Sequence, residues 1–328
     1  MKNILITGAT GFIGSLLVKE CVERKMFENI LLPVRNVEKA EKMYETIRKQ
    51  TECKLYIVKA SLTELDKAVF PVMADYIIHC ASVTQSAEMI SHPVETADSI
   101  VLGTRNILEF AKGIGVKGMV YLSSMEVYGK VADMGRPRKE NELGEVATEA
   151  VRSCYPLGKK MAEHYCHIYH KEYGLPVKIA RLAQIFGKGV RPDDNRVYMQ
   201  FAKAASEGRD IVLKTKGASM GNYCASEDAV KAIFMILEKG AAGEVYNVVN
   251  ERNTMSVRDM AGLVAREAAG GRIKVRTEAE DSMKTGFAPD TGLRLSGEKL
   301  QNIGWQPTKE LAEMYRDVIW EISRGTGA

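Results

Sequence analysis

The chain begins with a short apolar run, Ile4-Leu5-Ile6, that passes without interruption into Thr7-Gly8-Ala9-Thr10-Gly11-Phe12-Ile13-Gly14. No other junction limits the fold as strongly. Its glycines fall at i, i+3 and i+6. The first permits a tight turn after a strand, the second lets backbone approach a pyrophosphate, and the third lets the next helix pack closely on the strand. The helix opening at Phe12 turns free N–H groups and a positive dipole end toward the same point. A glycine-rich stretch in isolation says little. A strand before it and a helix after it are the context in which it binds a dinucleotide.

The first half repeats this strand–helix alternation. Ile30 to Val34, Leu55 to Val58, Tyr76 to Cys80, Met119 to Leu122 and Val177 to Ala180 are short, apolar and partly β-branched. Such runs suit strands buried on both faces of a parallel sheet. Between them, Phe12 to Arg24, Val37 to Lys49, Val94 to Gly113 and Cys154 to Tyr173 read as helices. The expected fold class is therefore α/β, a doubly wound parallel (Rossmann) sheet. With 328 residues, and roughly 150 per domain, two structural units are expected. Residues 1–182 form the dinucleotide-binding domain in this reading, and residues 183–328 a smaller mixed substrate-binding domain, with some chain exchange between them. Helices are expected at Asn195 to Glu207, Glu227 to Lys239, Val257 to Ala269 and Lys309 to Ile322, with short strands at Ile211 to Leu213 and Glu244 to Val248. Lys130 to Glu149 reads as a long surface loop.

A content of 45% hydrophobic and 27% charged residues excludes disorder as the main state. The net charge of +4 is too weak to argue for nucleic acid or a membrane surface, although it suits an anionic small ligand. The six cysteines show no metal-type spacing, which fits reduced thiols. No apolar run approaches the ~20 residues of a membrane span, and the first run is too brief for a signal peptide. A cytoplasmic location is expected.

Further motifs follow in chain order: Asp75 to Ala81 at the fourth strand, Gly103-Thr104-Arg105-Asn106 on a long helix, Leu122-Ser123-Ser124-Met125-Glu126-Val127-Tyr128-Gly129, Tyr155-Pro156-Leu157-Gly158-Lys159, and Gly304-Trp305-Gln306-Pro307. With TGATGFIG, these resemble the short-chain dehydrogenase/reductase superfamily, in its extended branch, the NAD-dependent epimerase/dehydratase family of nucleotide-sugar enzymes. The resemblance spans nearly the whole chain. It implies cofactor contacts from Gly8, Thr10, Gly11, Phe12, Ile13, Gly14, Arg35, Asn36, Ser61, Leu62, Cys80, Ala81, Ser82, Tyr155 and Lys159. It also implies a homodimer, formed through the two long helices.

The cofactor is NADP or NAD. In such folds an acid after strand two bonds the NAD ribose, whereas an arginine accommodates the NADP phosphate. Here the strand ends Leu32-Pro33-Val34-Arg35-Asn36 with no acid, so Arg35 favours NADP.

Of thirteen tyrosines, only Tyr155 has a lysine four residues later. On a helix that spacing shares one face. Tyr155 is expected to exchange a proton with a substrate hydroxyl or ketone, Lys159 and the oxidised nicotinamide to lower the phenol pKa, and Lys159 to hold the nicotinamide ribose. By resemblance, Ser124 orients the substrate oxygen. Glu126 stands either as a base on a sugar carbon or as a hydrogen-bonding pocket wall. Family dehydratases and UDP-glucuronate decarboxylases often carry Thr-Asp-Glu or Thr-Ser-Glu here. Met125 cannot serve as the acid that an aspartate would.

The substrate expected from the resemblance is a small molecule, a nucleotide-linked sugar. Gln184 replaces a family asparagine in Arg181-Leu182-Ala183-Gln184-Ile185-Phe186-Gly187. The family arginine before Tyr223 is absent, which leaves Lys214, Lys216 or Arg294 to hold a diphosphate. Epimerase, dehydratase or decarboxylase chemistry, a ketosugar reductase using NADPH, and a non-catalytic dinucleotide sensor are the alternatives. His164, His167 and His170 drift around their helix and read as a surface face, so no metal is expected.

Overall fold

The computed structural model describes residues 2–131, 135–278 and 292–325. Strands β1 (Asn3–Thr7), β2 (Asn29–Val34), β3 (Lys54–Lys59), β4 (Tyr76–His79), β5 (Gly118–Ser124) and β6 (Val177–Leu182) alternate with helices α1 (Phe12–Glu23), α2 (Val37–Gln50), α3 (Ser86–Ser91), α4 (Pro93–Ile114) and α5 (Cys154–Tyr173). The second half adds β7 (Gln184–Phe186), α6 (Val197–Ser206), β8 (Ile211–Leu213), β9 (Met220–Gly221), β10 (Tyr223–Ala225), α7 (Ser226–Lys239), β11 (Val245–Val248), β12 (Met255–Ser256), α8 (Val257–Leu263), β13 (Val275–Thr277), α9 (Glu298–Asn302) and α10 (Leu311–Ser323).

Seven strands form one parallel sheet in the order β11-β6-β5-β4-β1-β2-β3. Strand order reverses between β1 and β4. A crevice opens outside their carboxyl ends, where ligands bind in such sheets.

Alternate side chains along each strand divide between two layers. Ile4, Ile6, Ile30, Leu32, Ile78 and Val120 pack with Leu17 and Val18 of α1 and Ile233 of α7. Leu5, Leu31, Ile77 and Met119 pack with Ile100, Ile107 and Leu108 of α4. Full burial of each aliphatic side chain contributes about 1.5–3 kcal/mol. Both faces are thus covered, which is why these strands carry unbroken apolar runs.

The segment Glu244 to Val248, expected among the mixed elements of the second half, instead supplies the edge of the main sheet as β11. It runs parallel to β6, with Val245 beside Ile179 and Val248 beside Leu182. The reason is two-sided burial: Tyr246 and Val248 enter one layer and Val245 the other. This open edge is covered. Glu140 accepts the Asn247 backbone N–H at 2.9 Å through Oε1, so the loop after β5 protects a strand that would otherwise template aggregation. Lys130 bridges Glu145 within that loop, and its residues 132–134 lie outside the described residues.

A separate apolar cluster joins β7, β10, α6, α8 and α10. Phe186 stacks on Tyr198 with ring centroids 4.4 Å apart, and Tyr223 and Tyr315 meet Phe186 edge-on. Beyond α8 the helix widens into a π turn at Val264–Ala268, inside the stretch read as one helix. All six cysteines are free thiols. Among the described residues no helix is long and apolar enough to cross a membrane.

Candidate active site

The glycine turn is closed by contact. Gly8 has φ +68°, and a Cβ there would lie 2.8 Å from Ala81 N, against the loop that leaves β4. A Cβ on Gly14 would lie 2.2 Å from the Gly8 carbonyl oxygen. Both positions therefore exclude a side chain, as the spacing predicts. Gly11 caps α1 with no side-chain hydrogen bond, so the first helical turn faces the crevice with its backbone.

The β1 and β4 ends are joined by a buried hydrogen-bond chain. Thr7 Oγ1 accepts the backbone N–H groups of Cys80 and Ala81, each at 3.1 Å. Its own proton therefore goes to His79 Nδ1, 2.7 Å away. This assigns the Nε2–H tautomer, which faces Thr104 Oγ1 at 3.4 Å. Burial, then the Lys159 charge, lowers the His79 pKa to about 3, so the ring is neutral. The motif on α4 is explained by the same packing. Gly103 admits Leu62, with 3.2 Å from an added Cβ to its Cδ1, and Asn106 donates to the Leu62 carbonyl at 2.9 Å.

Arg35 lies exposed just past β2. Asn36 caps α2, its side chain accepting the Lys39 N–H at 2.8 Å. Ser61 caps the following 3₁₀ turn in the same way through Thr63 N, at 3.4 Å. These two expected cofactor residues thus have local structural work. Cys80, Ala81 and Ser82 are half-buried along the crevice.

Ser124 ends β5, and Tyr155 and Lys159 start α5, all within the same sheet end. Tyr155 is buried, and its ring centroid lies 5.7 Å from Lys159 Nζ. Lys159 Nζ donates to the Leu122 carbonyl at 2.8 Å, and burial lowers its pKa to about 8. In the protein's own field, burial and then the Glu126 charge push the Tyr155 phenol up to about 12, so the lowering expected from Lys159 together with the oxidised nicotinamide belongs to the cofactor-bound site. Ser124 and the guanidinium groups of Arg152 and Arg196 act in the opposite direction without overcoming burial.

Glu126 is half-buried and held by Arg152, whose Nη2 donates to Oε1 at 3.1 Å. The Arg152 guanidinium carbon lies 5.6 Å from the Tyr155 ring centroid. Arg152 and Arg196, the residue that caps α6, are absent from the sequence reading. Arg152 sits three residues before Tyr155, a spacing that could have drawn attention to it. Arg196 lies on a distant loop with no local signal.

Below this cluster, Arg181 forms a buried two-pronged pair with Glu163, at 2.9 and 2.7 Å. It also donates to the Glu140 carbonyl at 2.6 Å and to Tyr128 Oη at 3.2 Å. The family-pattern arginine therefore ties α5 to the edge loop. Gln184 is half-buried at the start of β7, beside Tyr223 in register. Arg294 is exposed. Lys214 pairs with Glu278 at 3.0 Å, and Lys216 is exposed. The structure does not bring Lys214, Lys216 or Arg294 into contact with the Tyr155 cluster. Of the histidine run, His170 bonds the Leu175 carbonyl at 2.9 Å near the end of α5.

The profile of the NAD dependent epimerase/dehydratase family matches residues 4–249. The chain belongs to this family. Among curated relatives, UDP-glucuronic acid decarboxylase 6 of Arabidopsis thaliana is 29% identical over 74% of this chain and 68% of its own length. Among solved structures, UDP-glucose 4-epimerase from Thermotoga maritima, held with UDP-glucose, superposes with a TM-score of 0.80. It is 21% identical, and 98% of this chain and 99% of that chain are covered. RMD from Pseudomonas aeruginosa, complexed with NADPH, gives a TM-score of 0.75 at 22% identity, covering 99% of this chain and 100% of that one. These structural likenesses establish the fold of this family member.

Proposed function

We propose that this epimerase/dehydratase-family chain is an NAD(P)-dependent enzyme acting at a hydroxyl or ketone carbon of a nucleotide-linked sugar. The observation that carries this reading is the gathering of Ser124, Tyr155 and Lys159 at the sheet end that also holds the glycine turn. The residues present fit a dinucleotide. Side chains are excluded at Gly8 and Gly14, and the α1 backbone opens on the crevice without a side-chain cap. Bound there, the nicotinamide ring would accept or supply a hydride.

The chain's own groups do the rest. Ser124 orients the substrate oxygen. Tyr155 takes the hydroxyl proton on oxidation and returns it on reduction. Its phenol is costly to ionise in the protein's own field, so positive charge nearby is required for the phenolate. Lys159, Arg152 and Arg196 are the cations that surround it. Lys159 would also hold the nicotinamide ribose. Glu126 borders the same space and is placed to act on a sugar carbon or to bond a hydroxyl.

Arg35 supports NADP as the preferred cofactor, since no carboxylate follows β2 and the guanidinium is exposed for a phosphate. This observation also favours a second reading, a ketosugar reductase using NADPH as co-substrate. Gln184 and Arg294 are proposed as substrate contacts. The outer faces of α4 and α5 expose Val94, Leu102, Met161 and Tyr173, which supports a homodimer through these helices.

The test is a panel of UDP- and dTDP-linked sugars, with UDP-glucuronic acid and UDP-glucose included, added to cofactor-loaded protein. Reduced-nicotinamide absorbance and product mass are recorded. A transient rise in absorbance with a new sugar product supports internal redox. Steady consumption of NADPH with a ketosugar supports the reductase. Neither change with any sugar would contradict the proposal.

A further inference from the structure

We propose that Arg152 is a positioning residue: it holds Glu126 by one carboxylate oxygen beside Tyr155 and balances that carboxylate's charge, so that the phenol can release and regain its proton. This rests on Tyr155 being the proton-transfer group, as proposed above.

The geometry is specific. Arg152 lies in the 3₁₀ turn Val151–Ser153, immediately before α5. Its Nη2 engages Glu126 Oε1 at 3.1 Å. The same guanidinium is 5.6 Å from the centre of the Tyr155 ring. Glu126 Oε2 has no hydrogen bond among the described residues, so one oxygen is clamped and the other is free to face a substrate. Glu126 itself is fixed by its backbone, which donates to Ser124 Oγ at 3.2 Å. One arginine therefore couples the 3₁₀ turn after β5 to the start of α5, across the space between Ser124 and Tyr155.

Charge explains why such a clamp is needed. A carboxylate close to a buried phenol opposes phenolate formation. Glu126 does so here, and Arg152 offsets it. The other groups facing Tyr155 are Lys159 of α5, Arg196 at the α6 cap and the Tyr121 phenol of β5. Lys159 is turned to the Leu122 carbonyl, and Arg196 is paired with Asp194. Arg152 is thus the cation that contacts Glu126 directly. Its side chain is 34% exposed, so solvent screens its effect, and a shift of about one pH unit is expected rather than several.

The experiment is a tyrosinate ultraviolet titration of the protein saturated with oxidised cofactor. Wild type minus Tyr155→Phe isolates the Tyr155 component. Arg152→Met should raise its midpoint by about one pH unit. Arg152→Lys should restore most of the shift, because it keeps the charge. Arg152→Met combined with Glu126→Gln should also return the midpoint toward wild type, because the opposing charge is gone. A merely structural loss would not be rescued by removing Glu126. An unchanged midpoint in Arg152→Met, or a double variant as displaced as the single one, would overturn the proposal. Absence of any Tyr155 component in the wild type would overturn the proposed proton-transfer chemistry, and the role of Arg152 with it.

Discussion

At the scale of single residues, what the site asks of each side chain depends on its burial. His79 is a core histidine that connects two strands, and its neutrality has a measurable consequence. Its pKa falls from the ordinary 6.5 to about 3, chiefly through burial. The unfolded chain therefore takes up a proton below pH 6.5 that the folded chain refuses. Stability contributed by His79 is complete above that pH and is lost as pH falls toward 3. Thermal melts of wild type should move to lower temperature from pH 7 to pH 5, and His79→Gln should show a shallower slope. Parallel slopes would contradict the assignment. Arg35 is the opposite case, an exposed cation with no side-chain hydrogen bond or ion pair among the described residues. Arg35→Asp should weaken NADP by about 1.5–3 kcal/mol and improve NAD, because a carboxylate bonds a ribose hydroxyl but repels a phosphate. Titration of both cofactors decides this, and unchanged NADP affinity would remove Arg35 from the site.

At the scale of elements, the glycine turn and its helix stand or fall together. A Cβ at Gly14 would sit 2.2 Å from the Gly8 carbonyl oxygen, so Gly14→Ala must separate β1 from α1. Overpacking of this kind costs about 1–3 kcal/mol. Gly113 near the end of α4 has nothing within 4 Å of an added Cβ. Gly113→Ala should instead stabilise by about 0.5–1 kcal/mol through helix propensity. Urea melts of the two variants should move in opposite directions, with cofactor affinity falling only in Gly14→Ala. This level was also the most legible in the sequence. Glycine spacing and two-sided apolar runs are local signals, so β1, α1, the crevice and α5 with Tyr155 and Lys159 could be placed from residues alone. The edge position of β11 could not, because a strand's neighbour is chosen by long-range burial. Arg152 and Arg196 escaped for a related reason: their pairing with Glu126 and Asp194, and their approach to Tyr155, exist only once the chain is folded. The raised phenol pKa was likewise hidden, since spacing shows which charges are near but not how far water is excluded.

At the scale of the whole molecule, the two layers around the sheet leave α4 and α5 with apolar residues outside as well as inside. Val94 and Leu102 on α4, and Met161 and Tyr173 on α5, are 39–67% exposed. If these helices pair with a second copy, wild type should have the mass of a dimer by light scattering. Leu102→Glu with Met161→Glu should reduce it to a monomer, since unpaired charges at a buried helix interface are unfavourable. A monomeric wild type, or a double variant that stays dimeric, would contradict the proposed surface. The buried Arg181–Glu163 pair has a different reach. It joins α5 to the loop that shields β11, so the helix carrying Tyr155 is braced against the edge of the sheet.

The central claim is that Tyr155 moves the proton while Lys159 serves both that phenol and the cofactor. Its most direct test is turnover measured beside cofactor affinity, on the first sugar that reacts, for wild type, Tyr155→Phe and Lys159→Met. Tyr155→Phe should lose about 10²–10⁴-fold in turnover and keep its cofactor affinity, as removal of one acid–base group does. Lys159→Met should lose both. A Tyr155→Phe protein with near-normal turnover would contradict the account and move the chemistry to Glu126.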